Sequence, residues 1–297
     1  MVARTKDYQL EADMAPARGF VSLLTGSFST PATDNPTVAM VEAAYAAMGL
    51  DARYVNCDVP PSGLADAVRG ALAMGWAGFN CSLPHKVAVI DLLDEVAASA
   101  RIIGAVNCVV VRDGRLVGEN TDGQGFVESL HTVVDPAGAH VVVFGAGGAG
   151  RAVAVESALA GASSVTVVNR DPVRGRELAA IVADQTPATA TYTPWTAAYA
   201  VPDEATVVVN ATSVGLAPHG DALIDVDLAS LRPGVVVADV IPNPPRTRLL
   251  REAEARGCPT LDGLGMLVNQ GVLGIRLWTG QEPDPAVMRR TLAGIFG

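Results

Sequence analysis

The stretch that decides the fold is His140-Val141-Val142-Val143-Phe144-Gly145-Ala146-Gly147-Gly148-Ala149-Gly150-Arg151. Its first five residues form the apolar run expected of a buried strand, and Arg151 to Ala160 follows a helical pattern closed by Gly161. Between them, Gly145, Gly147 and Gly150 satisfy a GxGxxG spacing. In a strand-turn-helix setting the first glycine permits a tight turn and the second lets a pyrophosphate approach the backbone. The third lets helix and strand pack closely. The helix start then offers amide donors and partial positive charge to phosphate. The competing reading is a glycine-rich turn that holds no ligand.

Working downstream, residues 163–169 (SSVTVVN) read as a second strand, Pro172 to Ala183 as a helix, and residues 205–210 and 234–240 as further strands. Thr247 to Arg256 is helical before Pro259-Thr260-Leu261-Asp262-Gly263, giving about 120 residues in all, the size of a dinucleotide-binding fold. The second strand ends in Asn169 and Arg170, with Arg174 one helical turn later. Two guanidiniums there suit a 2′-phosphate and favour NADP, with NAD as the alternative. Asp171 either opposes that phosphate or caps the helix that Pro172 begins. Gly263 to Gly297 is helical again and must pack on something already built.

Upstream, residues 19–26 (GFVSLLTG) read as a strand. Asn35, Pro36 and Gly49 delimit a helix. Ala52 to Val55 and Gly78 to Cys81 read as strands, and Gly63 to Met74 and Lys86 to Ala100 as helical. Asn107 to Arg112 and Arg115 to Asn120 form a hairpin across Asp113-Gly114. This alternation predicts an α/β protein of two domains, an N-terminal α/β domain and a Rossmann dinucleotide-binding domain, with a cleft between them where a substrate would sit. The expected boundaries are 1–122, completed by the helices of 263–297, and 123–262.

The composition narrows function. The chain has 297 residues and a formal net charge of −10, which leaves no basic face for nucleic acid. No apolar run reaches the roughly eighteen residues of a membrane helix, and the polar N-terminus lacks a signal core, so a cytoplasmic protein is expected. Cys57, Cys81, Cys108 and Cys258 show no metal-ligand spacing and read as small buried residues of a reducing compartment, with no metal expected. Of 21 basic residues only Lys6 and Lys86 are lysine. Lys86 stands in an apolar neighbourhood, where an ammonium can exchange a proton and a guanidinium cannot. Asn80, Ser82, Lys86, Asn107, Asn120, Thr121 and Asp122 cluster at strand ends, where open α/β sheets place ligands. Each also has a plain role in a turn or cap, but a lysine and an aspartate together in a cleft can handle the proton of a carbonyl being reduced.

Several blocks resemble the shikimate and quinate dehydrogenase family: residues 80–86 (NCSLPHK), 104–107 (GAVN), 120–123 (NTDG), 145–151 (GAGGAGR), 210–215 (NATSVG) and 262–271 (DGLGMLVNQG). They keep the family's order from about residue 20 onward. The resemblance implies reversible NADP-dependent hydride transfer between 3-dehydroshikimate and shikimate, or a close analogue, in aromatic amino acid biosynthesis. It implies a monomer or homodimer that binds a small cyclic hydroxy acid. It further implies Lys86 and Asp122 as catalytic residues, and Thr33, Asn35, Ser82, Asn107 and Gln270 as substrate-binding. The implied cofactor contacts are Gly145, Ala146, Gly147, Gly148, Ala149, Gly150, Asn169, Arg170, Arg174, Thr212 and Gly263. The chain departs from the family pattern at Thr33-Asp34-Asn35-Pro36, where a Ser-x-Ser-Pro segment would meet the substrate carboxylate. It departs again at Pro242, where many relatives have tyrosine. The alternatives are therefore an NAD-linked quinate or aminoshikimate dehydrogenase, and a dinucleotide-sensing protein without turnover.

Overall fold

The computed structural model describes residues 21–296, so Lys6, the polar N-terminal segment and the first residues of the expected strand at 19–26 lie outside the described residues. The first series of elements is β1 (Leu23–Ser29), α1 (Thr37–Met48), β2 (Ala52–Asp58), α2 (Leu64–Ala73), β3 (Gly78–Cys81), α3 (His85–Ala88), β4 (Glu95–Val96), α4 (Ala98–Ile103), β5 (Cys108–Arg112), β6 (Arg115–Glu119) and α5 (Thr121–Leu130). The strands join in the order β2-β1-β3-β5-β6-β4. β1 runs parallel to β2 and β3, while β5 is antiparallel to both β3 and β6. The hairpin turns at Asp113 (φ 51°) and Gly114 (φ 73°), two consecutive positive φ angles that suit Asp-Gly and match the twist of the flanking strands.

The expected helix from Lys86 to Ala100 is interrupted. It becomes α3, a 3-10 turn at Val89–Leu92, the short β4, and α4. Asp94 is the physical reason: its backbone N–H donates to Leu116 O and its carboxylate accepts from Leu116 N–H at 2.7 Å. This stitches the segment to β6 and outweighs local helix preference.

The second series is β7 (His140–Phe144), α6 (Gly148–Leu159), β8 (Ser164–Asn169), α7 (Pro172–Gln185), β9 (Thr189–Pro194), β10 (Val207–Asn210), β11 (Val236–Asp239), α8 (Arg248–Glu254), β12 (Thr260–Leu261), α9 (Gly263–Thr279) and α10 (Pro285–Phe296). Its strands order as β12-β11-β10-β7-β8-β9, every pair parallel. β9 escapes a hydrophobicity reading because it is an edge strand of threonines and one tyrosine, half in contact with water. The central strands bury both faces. Val141, Val143, Val165, Val167, Val207 and Val209 enter one core, and Val142, Phe144, Val168, Val208 and Val237 the other. Each fully buried valine contributes roughly 1.5–3 kcal/mol, which is why these strands read as continuous apolar runs.

The C-terminal helices return to the first sheet. Leu264, Val268, Val272, Ile275 and Trp278 of α9 share a core with Met40, Val41 and Tyr45 of α1 and with Val110 of β5. The Trp278 indole N–H donates to Val109 O at 3.0 Å. α9 also lies close against α5: a Cβ added to Gly125 would stand 2.7 Å from the backbone nitrogen of Gln270. That approach brings Gln270 and Asp122 to one cavity.

Candidate active site

The residues that the sequence places at strand ends are pinned to one another before any ligand arrives. Lys86 is carried by α3, whose position is set by its own carbonyl accepting from Val106 N–H at 2.8 Å and by Ser82 N–H donating to Phe28 O. Asn120 caps α5, its carboxamide oxygen accepting from Gly123 N–H. Asp122 stands in the first turn of that helix, where the dipole favours a carboxylate. Lys86 Nζ donates to Asp122 Oδ2 at 2.6 Å, and Asn107 Nδ2 donates to Asp122 Oδ1 at 2.9 Å. Both side chains of the ion pair keep some solvent contact, 28% for Lys86 and 19% for Asp122.

Asn107 is buried and fully used. Its amide also donates to Thr121 Oγ1 at 3.0 Å, and its oxygen accepts from Thr121 N–H at 2.7 Å. Behind it, Asn80 donates to Asn107 O at 2.9 Å and accepts from the Tyr54 hydroxyl at 2.7 Å. Burial holds the Tyr54 phenol well above its ordinary range, so it remains a donor. Burial also pushes the Cys81 thiol up to about 12, which leaves no thiolate for nucleophilic chemistry at the cavity wall.

These groups line a cavity of about 200 Å³. Asn35, Pro36 and Thr37 line it together with Ser82 and Lys86, and Pro242, Leu267 and Gln270 complete it from the loop after β11 and from α9. Of the expected substrate residues, Asn35, Ser82, Asn107 and Gln270 meet there together with Lys86 and Asp122. Thr33 does not: it is exposed and stands outside the lining. Thr37 and Leu267 join the lining without any motif to mark them, because Thr37 reads as the first turn of a helix and Leu267 as one more core leucine.

The cofactor-side residues gather at the carboxyl ends of the parallel strands. Gly145 has φ +102°, and a Cβ on Gly150 would lie 2.1 Å from Gly145 O, so both positions require glycine. Gly147 and Gly148 face open space, with no atom within 4 Å of an added Cβ. Ala146 N–H is held by Asn169 Oδ1 at 3.2 Å. Arg170 stacks over Trp195, 4.7 Å from the ring centroid, and Arg174 lies 3.7 Å from Asp171. Asp171 caps α7, accepting from Val173 and Arg174 N–H, so the capping alternative for this residue is the observed one. Thr212 is folded into its own turn, donating to Asn210 Oδ1 at 2.7 Å. Gly263 opens α9 beneath the loop after β11, where a Cβ would strike Ile241 O at 2.3 Å. That loop is anchored by Asp239, which accepts from Asn210, Ile241 N–H and Thr247. Burial raises Asp239 to about 6 against the lowering effect of those bonds. The turn thus offers open backbone at Gly147 and Gly148, two guanidiniums, and glycines that nothing larger could replace, a donor set that fits a dinucleotide phosphate. Among the described residues there is no group of three or more His, Cys, Asp or Glu that could hold a metal ion, and no helix long and apolar enough to cross a membrane.

Known proteins resemble this chain along nearly its whole length. The shikimate dehydrogenase substrate-binding domain matches residues 29–109, and the shikimate 5′-dehydrogenase C-terminal domain matches residues 263–293. The shikimate dehydrogenase (NADP(+)) of Citrifermentans bemidjiense is 42% identical over 91% of this chain and 94% of its own. The shikimate 5-dehydrogenase of Thermus thermophilus, solved with NADP(H) and shikimate, superposes with TM-score 0.80 at 36% identity, covering 92% of this chain and 99% of its own. The ligand-free 5-ketofructose reductase of a Gluconobacter species superposes with TM-score 0.91 at 61% identity, covering 94% of this chain and 100% of its own.

Proposed function

The chain belongs to the shikimate dehydrogenase family, and from that premise we propose that it is an NADP-dependent oxidoreductase interconverting a ketone and a secondary alcohol, as in 3-dehydroshikimate and shikimate or a close analogue. The observation that carries this reading is the Lys86–Asp122 pair, held at 2.6 Å on the wall of a cavity that Pro242 lines from the loop after β11. We assign residues 1–122 with 263–297 to substrate binding and 123–262 to cofactor binding. The shared core of α9 and the first sheet supports this division.

Bound NADPH supplies the hydride. Lys86 donates the proton that the substrate oxygen needs as charge develops on it, and takes that proton back in the oxidative direction. Asp122 holds the ammonium on the reacting side of the cavity, and Asn107, with its amide committed to Asp122 and Thr121, keeps that carboxylate from turning away. Asn35, Ser82 and Gln270 orient the hydroxyl groups, and such positioning supplies much of the rate. On the cofactor side Gly145 to Gly150, Asn169, Arg170 and Arg174 hold the dinucleotide. Thr212 and Gly263 shape the nicotinamide end.

The relatives differ in substrate but not in reaction type. The enzyme from Thermus thermophilus was solved with shikimate, a ring acid, whereas the protein from Gluconobacter, at 61% identity, is a reductase of 5-ketofructose, an uncharged sugar. Both are polyhydroxylated carbonyl compounds in the oxidised form. The experiment is a dehydrogenase panel with NADP and NAD in both directions, on shikimate, quinate, 3-dehydroshikimate and 5-ketofructose. Turnover of at least one compound with NADP supports the reading. Binding of NADP without turnover of any would favour a dinucleotide-sensing protein instead.

A further inference from the structure

The end of the cavity formed by Asn35 and Thr37 is chemically unlike a carboxylate site. Resting on the redox reading above, we propose that this enzyme selects an uncharged polyhydroxy ketone over a ring acid, with Asn35 reading a substrate hydroxyl and Asp34 repelling the acid.

Four observations point the same way. First, the start of α1 would ordinarily offer its free amides to an anion. Here Thr37 N–H is already donated to Asn35 Oδ1 at 3.1 Å, so the chain's own carboxamide oxygen occupies that place. Second, Asn35 cannot swing aside to clear it. Its Nδ2 donates to Ser27 Oγ at 3.1 Å, Ser27 Oγ donates to Asn56 Oδ1 at 2.8 Å, and Asn56 Nδ2 donates back to Asn35 O at 2.9 Å. The carboxamide is thus clamped between β1, β2 and the start of α1, with one N–H left to meet a neutral acceptor such as a hydroxyl oxygen.

Third, among the described residues the only charges on the cavity wall are Lys86 and Asp122, and they neutralise each other at 2.6 Å. A substrate carboxylate buried there would have to be desolvated without a cation of its own. Fourth, Thr33, which could have added a hydroxyl donor, is exposed outside the lining, and Asp34, likewise exposed outside it, adds a carboxylate next to Asn35 in the chain, where it acts on an entering acid only through space. Asn80 and Asn107 are committed to bonds within the chain, and the other polar side chains of the lining, Thr37, Ser82 and Gln270, are uncharged and able to both donate and accept, as a polyol requires. The step itself is the ordinary two-electron reduction: the carbonyl carbon takes a hydride from NADPH, its oxygen takes one proton through Lys86, and the products are a secondary alcohol and NADP.

The test compares kcat/KM with NADPH for 3-dehydroshikimate, for its uncharged methyl ester, and for 5-ketofructose. In parallel, the shift in melting temperature caused by shikimate and by its methyl ester is measured with NADP present. The expected result is that the uncharged compounds exceed the acid by about tenfold or more in kcat/KM, with the ester giving the larger melting shift. Replacing the exposed carboxylate, Asp34→Lys, should raise kcat/KM for the acid about tenfold at low salt while leaving that for the ester unchanged, an effect that salt erases. Asn35→Ser, which removes the clamped carboxamide and puts a rotatable hydroxyl donor in its place, should move preference toward the acid in the same direction. Equal or better turnover of the acid by the unaltered enzyme would overturn the proposal and leave the redox reading standing. No turnover of any compound would overturn the redox reading and this inference with it.

Discussion

Asp122 divides its two carboxylate oxygens between two partners, Oδ2 taking the Lys86 ammonium at 2.6 Å and Oδ1 the Asn107 amide at 2.9 Å. A carboxylate held from both sides cannot rotate, so the ammonium it carries is held in one place on the cavity wall. Lys86→Met should therefore lower kcat by about a thousandfold, within the range for loss of a general acid, while NADP binding is unchanged. Lys86→Arg should fare nearly as badly, because a guanidinium does not release its proton at working pH. Steady-state kinetics beside a cofactor titration checks both. Retained turnover in Lys86→Met would remove the assigned role.

The glycine turn separates packing from ligand contact. A Cβ on Gly150 would meet Gly145 O at 2.1 Å, so Gly150→Ala should cost roughly 1–3 kcal/mol of stability or more and weaken NADP binding as well. Gly147 has φ −84° and no neighbour within 4 Å of an added Cβ. Gly147→Ala should then leave the melting temperature unchanged and raise KM for NADP about tenfold, because the methyl takes space needed by phosphate. Calorimetry and cofactor kinetics on the two variants should diverge in this way. Equal effects on both measurements would argue against phosphate at this turn.

The proposed preference for NADP is assigned to Arg170, stacked on Trp195, and to Arg174. Arg174→Ala should raise KM for NADP about tenfold and leave KM for NAD unchanged, as expected for a charge-assisted contact with a 2′-phosphate. Asp171→Asn keeps an oxygen for the Val173 and Arg174 amides and removes the nearby negative charge. It should tighten NADP binding without lowering the melting temperature. A parallel change for NAD in either variant would place these residues away from the phosphate.

Asp239 predicts a pH dependence of stability. Burial raises its carboxyl from 3.8 to about 6, so the folded chain binds this proton more tightly than the unfolded chain. Its stabilising contribution is present in full below about pH 4 and is lost as pH rises through about 6, amounting to roughly 3 kcal/mol. Asp239→Asn should remove this term, so the stability of the native protein relative to the variant should fall between those pH values. Urea unfolding of both proteins across the range measures it. A constant difference would show that Asp239 titrates normally.

Much of this site is legible along the chain. Lys86 stands out as an ammonium in an arginine-rich sequence, and the glycine turn announces itself because its context, an apolar strand before and a helical pattern after, leaves few other readings. Asp171 carries two readings, and only the observed bonds to Val173 and Arg174 choose the cap. Asn107 is legible as a site residue but not in its task. That its amide is spent on Thr121 and Asp122 depends on β5 and α5 meeting in space.

Local patterning by itself determined the α/β class, the strand-turn-helix of the glycine turn and the one lysine that stands apart from the arginines, because each depends on spacing within a few residues or on one side chain's chemistry. Tertiary structure alone decided three things. It broke the expected helix after Lys86 by pairing Asp94 with β6, and it brought Gln270 of α9 to Asp122 of α5 across a contact that only Gly125 permits. It also turned Thr33 outward while clamping Asn35 to Ser27 and Asn56. The common reason is that these outcomes are contacts between residues far apart in the chain. Their geometry is set by the packing of whole elements, which no short stretch of sequence contains.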